Sequence, residues 1–224
     1  MNIIPYRSSF VHKNEIERLV KEMLVNRVIQ HIISLFASSI LLVKKKYSSW
    51  RFCVDYWQLN KLTIKNKFSI PLIDDLIDEL HGSPYFSKLN LKSRYHQVRM
   101  QACNIKKTTF HTHYGNYKLK VMPFSLTNAP ATFQALMNNV MEPFLVNLYW
   151  FFYDIMIYSS SLKLHINHLR NVLQTLRNHH LFSRKSRCSF YESQVEYLRH
   201  IVSARRVAID LNKTASIRDL LHKH

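Results

Sequence analysis

The chain predicts an α+β fold, with hairpins and helices packed on a mostly antiparallel sheet. Two observations carry this. Amphipathic helical stripes alternate with short β-prone runs in the order helix, hairpin, helix, strand, helix, hairpin, helix, hairpin. At 224 residues and 47% hydrophobic content, the chain is also large enough to bury a proper core, as one domain or two small interlocked ones.

The elements follow in order. Asn14 is placed to cap a helix whose apolar residues Ile16, Leu19, Val20, Met23 and Leu24 recur on one stripe. Ser39–Val43 and Trp50–Tyr56 are β-rich runs around Lys44-Lys45-Lys46-Tyr47-Ser48-Ser49, which predicts a hairpin with a basic tip. Pro71 suits a first helical position, Ile73, Leu76, Ile77 and Leu80 form its stripe, and Gly82 suits a left-handed C-terminal cap. Tyr85–Leu91 reads as a strand ending near Asn90, followed by a short helical piece through Tyr95 and His96. Thr108–Val121 predicts two strands turning at Tyr114-Gly115-Asn116. After Pro130, Phe133, Leu136, Met137, Val140 and Met141 mark another helix. A hairpin around Asp154, a helix from Leu162 to His179, and strands near Ser189 and from Val195 to Val202 complete the chain.

Lys and Arg total 32 against 14 Asp and Glu, a net charge of +18 that predicts salt-dependent attraction to a polyanion, with nucleic acid the leading partner. A solvated basic surface is the plain alternative. Cys53, Cys103 and Cys188 are too few and too scattered for a disulfide framework or a zinc site, which fits a reducing compartment. They read as small core or surface residues. Among thirteen histidines, the pairs His165/His168 and His179-His180 lack an acid or cysteine at zinc spacing and read as helix-surface residues. No uncharged run reaches the roughly 20 residues a bilayer span needs, and the N-terminus lacks a secretory signal, so an intracellular address, cytoplasm or nucleus, is expected. Glycine is the outlier: two in the chain, where average usage of about 7% would give roughly fifteen.

Two stretches carry the chemistry. Residues 148–159, Leu-Tyr-Trp-Phe-Phe-Tyr-Asp-Ile-Met-Ile-Tyr-Ser, form an apolar and aromatic run interrupted by one carboxylate, Asp154, at what would be a hairpin tip. Alone, Asp154 reads as an ordinary turn aspartate. Residues 121–134, Val-Met-Pro-Phe-Ser-Leu-Thr-Asn-Ala-Pro-Ala-Thr-Phe-Gln, supply a second signature. Together the two closely resemble the reverse transcriptases of gypsy-type LTR retrotransposons, and the resemblance covers nearly the whole chain.

That resemblance implies a right-hand polymerase: fingers at 1–64 and 100–122, palm at 65–99 and 123–203, an antiparallel palm sheet packed on helices, and only the start of a thumb at 204–224. It implies Mg2+ as cofactor, with two ions held by three carboxylates, and an RNA or DNA template-primer and deoxynucleoside triphosphates as partners, without a membrane. The three acid positions fall on Asn90, Tyr153 and Asp154, so Asp154 alone retains a carboxylate and is the remaining candidate catalytic and metal-binding residue. Asn90 and Tyr153 also read simply as a strand-end residue and a hairpin aromatic. Lys45 and Arg51 match triphosphate-gripping positions, Tyr95 the aromatic beneath the sugar, and Phe124 and Ser125 the segment expected to touch nucleotide and template; a solvated face and core packing are the alternatives for the first three. Arg184, Lys185, Arg187 and the strand Val195–His200 fall where a primer backbone would lie. Trp57 replaces an expected arginine. Glycines are expected at Ser48, Arg94, Ser125, Arg199, Ala204 and Arg206, and many of these exchanges, with that at Asn90, are reachable by single G-to-A or C-to-T transitions, so a decayed element copy is expected. The expected function is a reverse transcriptase domain without activity. The alternatives are a noncatalytic nucleic-acid-binding protein that keeps the basic cleft, and an unfunctional relic.

Overall fold

The computed structural model describes residues 10–34, 37–44, 50–66, 80, 82–144, 148–151, 154–197, 200–204 and 207–209. Its elements run α1 (Phe10–Val25), β1 (Ile29–His31), β2 (Ile40–Lys44), β3 (Trp50–Val54), α2 (Trp57–Leu62), β4 (Tyr85–Asn90), α3 (Ala102–Ile105), β5 (Phe110–Thr112), β6 (Gly115–Leu119), α4 (Ala129–Met141), β7 (Leu148–Phe151), β8 (Asp154–Ser159), α5 (Leu162–Asn178), β9 (Ser189–Glu192), β10 (Gln194–Tyr197), β11 (His200–Ser203) and β12 (Val207–Ile209). They fall into two units, one of residues 1–67 and 93–133, the other of residues 68–92 and 134–224.

In the first unit, β1, β6 and β5 make a three-stranded sheet, and β2 and β3 pair as an antiparallel hairpin. Ile16 and Val20 of α1 pack with Ile29, Val54, Tyr56, Phe110, Tyr117 and Leu119, the partly buried Met23 and Leu24 joining them. Each fully buried aliphatic or aromatic side chain of this kind contributes about 1.5–3 kcal/mol. Tyr56 is only 1% exposed, and its hydroxyl donates to the Thr108 carbonyl at 2.7 Å, which satisfies the one polar atom it buries. Burial pushes that phenol far above its ordinary pKa.

In the second unit a four-stranded antiparallel sheet has the order β7-β8-β4-β9. Ile155, Met156 and Ile157 are all fully buried, so both faces of β8 are covered. That is why its sequence reads as a continuous apolar run rather than an alternating one. Helix α5 begins at Ser161, whose hydroxyl accepts from the Leu164 N–H, and turns His165, Leu169, Val172 and Leu176 inward at helical spacing. Strands β10, β11 and β12 form a second, three-stranded sheet, and Val195 and Val202 join Leu80, Phe86, Met156 and Tyr158 in a shared core.

Several local expectations change. The first helix is already formed at Phe10, so Asn14 lies inside it rather than capping it. The β5–β6 turn consists of His113 and Tyr114, with Gly115 already paired to Thr112 at φ 142°. Residues Val195–Val202 are two strands, not one, folded so that Val195 faces Val202. Helix α2 has no counterpart among the sequence expectations. His165 is no surface residue: it is 0% exposed. The tip of the β2–β3 hairpin and residues 71–79 lie outside the described residues, while Leu80 is buried and Gly82 has the expected left-handed φ of 82°. Among the described residues no helix is long and apolar enough to cross a membrane.

Candidate active site

Antiparallel pairing of β4 and β8 sets Asn90 directly opposite Asp154. The Asn90 Nδ2 donates to Asp154 Oδ1 at 2.6 Å. An ionised carboxylate can only accept, so chemistry fixes which end of the amide faces it. Both residues are half-buried. The main chain of Asn90 is held on its other edge: its N–H donates to Cys188 Sγ at 3.4 Å, and its carbonyl accepts from the Arg184 N–H at 2.8 Å. Cys188 in turn donates to the Arg184 carbonyl at 3.2 Å. The next two residues continue this zipper, with Leu91 bridging Ser183 and the Lys92 N–H donating to the Phe182 carbonyl at 2.8 Å.

A hard cation needs oxygen donors, and here one partner aims an N–H at the carboxylate oxygen such a cation would use. Among the described residues no group of three or more His, Cys, Asp or Glu side chains is placed to hold a metal. As placed, the pair offers a cation one carboxylate and an amide turned nitrogen-first toward it. Tyr153, the third position, lies outside the described residues.

In the first unit, Arg51 is exposed on β3 opposite Val43, while Lys45 lies outside the described residues. Tyr95 sits in a 3-10 turn, Arg94–Gln97, entered through Ser93 at φ 50°. Its ring lies 5.2 Å from that of Phe124 and 5.5 Å from that of Phe133, and the His96 ring is 4.9 Å from Phe124. Phe124 remains 46% exposed, so the cluster presents one aromatic surface to solvent. Burial holds the His96 imidazole below its ordinary pKa. Ser125 turns its hydroxyl inward to the Val54 carbonyl at 2.6 Å, and its own carbonyl accepts from Asn60 Nδ2 at 2.7 Å. Asn60 Oδ1 also accepts from the Thr127 N–H at 2.8 Å, so one side chain of α2 braces the Phe124–Thr127 loop.

The structure brings Asn90 and Asp154 together in the second unit, and Tyr95 and Phe124 together in the first. Sequence reasoning missed Asn60 and His96 beside the loop and Cys188 beside Asn90. Cys188 and Asn60 carried no local signal, because their partners are 98 and 65 residues away. His96 could have been found from its adjacency to Tyr95.

Residues 43–202 match the family described as reverse transcriptase (RNA-dependent DNA polymerase). The chain belongs to the reverse transcriptase family. This reverse transcriptase domain is 36% identical over 205 residues to the retrovirus-related Pol polyprotein from transposon 297 of Drosophila melanogaster, covering 88% of the chain and 19% of that polyprotein. It is 48% identical over 131 residues to an RNA-directed DNA polymerase homolog of Oenothera berteroana, covering 57% of the chain and 92% of that protein. The Tf2-3 polyprotein of Schizosaccharomyces pombe is 33% identical over 185 residues, and the chain spans only 14% of its length. A foamy viral protease-reverse transcriptase solved with double-stranded DNA superposes with a TM-score of 0.87 at 17% identity, over 96% of this chain and 38% of that one. The same enzyme solved with an RNA/DNA hybrid gives 0.86. The fold is therefore the α+β polymerase fold of reverse transcriptases.

Proposed function

We propose that the chain is the fingers and palm of a retrotransposon reverse transcriptase of gypsy type that retains nucleic-acid binding and has lost nucleotidyl transfer. The fingers are residues 1–64 and 100–122, the palm 65–99 and 123–203, with the thumb beginning at 204. One observation carries the loss of chemistry: Asn90 gives a hydrogen bond to Asp154 where a second carboxylate would share a cation with it. With Tyr153 at the third position, one negative charge stands where three would balance two dications. The net charge of +18, and foamy viral relatives of the same fold solved on DNA and on an RNA/DNA hybrid, support an RNA or DNA template-primer as the partner. Arg51, Lys45, Tyr95 and Phe124 remain as groups suited to a deoxynucleoside triphosphate, by forked donors, point charge and ring surface respectively.

Primer extension on an RNA template with Mg2+ or Mn2+ tests this reading. The unmodified chain is expected to incorporate no more nucleotide than Asp154→Ala. Incorporation above that control overturns the loss of activity. The joint reversion Asn90→Asp and Tyr153→Asp, with Trp57→Arg added, is expected to restore metal-dependent extension. The strong basic excess supports a second reading, a noncatalytic nucleic-acid-binding protein, and binding without rescue by the reversion would favour it.

A further inference from the structure

A tryptophan stands open to solvent on a rigid mount. Trp57 is 62% exposed at the first position of α2. Its main-chain N–H donates to Asp55 Oδ1 at 2.9 Å, the preceding Tyr56 is anchored in the core, and Asn60, one turn on, ties α2 to Ser125 and Thr127. Leaving so large a ring in water forgoes the burial energy that the preceding Tyr56 collects. On the same helix face, four residues on, the Lys61 Nζ lies 5.5 Å from the centroid of the indole. From Tyr56 to Ile73 the sequence carries Lys61, Lys65 and Lys67 and no acid, and the carboxylate of Asp55 already holds the Trp57 N–H. Lysine is depleted at the cores of protein–protein interfaces, where an aromatic anchor would sit. A ring flanked by an ammonium instead matches what an unpaired nucleotide offers, a π face and a phosphate.

We propose that Trp57 and Lys61 form a stacking site for an unpaired nucleotide of single-stranded nucleic acid, the indole taking the base and the ammonium its phosphate. This rests on the reading that the chain binds nucleic acid. It adds that, at a position where the resemblance implies arginine, tryptophan offers a stacking surface in place of a cation.

Fluorescence anisotropy with labelled oligo(dT) and oligo(rU), titrated with the full chain across a range of salt, tests it. Trp57→Ala is expected to weaken binding roughly tenfold without changing the salt slope, because stacking releases no counterions. Trp57→Phe keeps a ring and is expected to stay within about threefold of the parent, while Lys61→Ala lowers the slope by about one. Binding is expected to quench tryptophan emission, and Trp57→Phe to abolish most of that quench. The quench decides the matter if Trp57→Ala does not fold. No binding by the unmodified chain at low salt removes the nucleic-acid reading itself. Binding that Trp57→Ala leaves intact, or a quench that survives in Trp57→Phe, overturns the stacking site alone.

Discussion

Across β4 and β8, an amide nitrogen 2.6 Å from a carboxylate oxygen supplies the positive end that Asp154 needs. Hydrogen bonds to a charged acceptor are worth about 1.5–3 kcal/mol, and partial exposure of this pair places it toward the lower end. Asn90→Asp would remove the donor and set two acids face to face on neighbouring strands, where like charges are destabilising. Thermal unfolding should show this directly. The unmodified chain is expected to melt at the same temperature in EDTA and in millimolar Mn2+. Asn90→Asp is expected to melt several degrees lower in EDTA and to recover in Mn2+, since a cation would then be the only bridge between the two acids. If the unmodified chain gains as much from Mn2+ as the variant does, the amide is not standing in for the ion. Ser125 is a second case of a residue put to local use: where a glycine is expected, its hydroxyl bonds the Val54 carbonyl.

Two helices end in the same way without the residue that normally permits it. After α1, the Arg27 N–H donates to the Leu24 carbonyl and the Val28 N–H to the Met23 carbonyl; after α5, His180 donates to Arg177 and Leu181 to Leu176. Both are Schellman caps, and their left-handed positions are Arg27 at φ 54° and His180 at φ 54°. Side chains with a Cβ pay about 1 kcal/mol there relative to glycine. Arg27→Gly and His180→Gly are each expected to raise the melting temperature by about 2–4 °C, and additively, because they lie in different units. A fall in either would mean that the exposed side chain makes contacts worth more than the strain. These caps also show what the sequence conceals. Gly82 was legible as a cap because glycine announces a positive φ, whereas Arg27 and His180 announce nothing. Helices α1 and α4 were legible from periodicity, and the β2–β3 and β7–β8 hairpins from β-prone runs on either side of a polar interruption. Helix α2 was not, since its six residues bury none of their own side chains and are held instead by Asn60 and the backbone of a distant loop. Asn90 and Asp154 could be brought together only through the family resemblance, as a strand end and a hairpin tip. The direction of the hydrogen bond between them could not, because that is a matter of one side-chain rotamer.

Each unit contains a histidine that its surroundings keep neutral, so acid should loosen both halves of the molecule. In the second unit His165 is enclosed by α5, β4, β8 and β9, with the rings of Tyr85 and Tyr191 centred 6.3 and 5.5 Å away. The Ser159 hydroxyl lies 2.6 Å from the Tyr158 carbonyl, to which it donates, and so accepts from the His165 Nδ1 at 3.1 Å. The His165 Nε2 then accepts from Ser87 Oγ at 2.8 Å, and Ser87 itself accepts from the Tyr191 N–H at 3.2 Å. The neutral ring completes this chain, and a second ring proton would face the Ser87 hydroxyl with no lone pair at Nε2 left for it. Burial first, then the charge of His168, which shares Ser159 at 2.9 Å, hold His165 below the ordinary histidine pKa. Burial does the same to His96 in the first unit. Because both groups are depressed in the folded state, the unfolded chain binds protons first, at about pH 6.5. Their contribution to stability is complete above that pH and is lost as the pH falls through it. Thirteen histidines add further positive charge to a chain already at +18, and the repulsion acts in the same direction. The melting temperature is expected to be level from pH 8 to about 7 and to fall steadily below about 6.5, with His165→Gln and His96→Gln each flattening part of the decline. A melting temperature that held constant down to pH 5, or variants that followed the parent curve throughout, would mean that neither imidazole governs the stability of its unit.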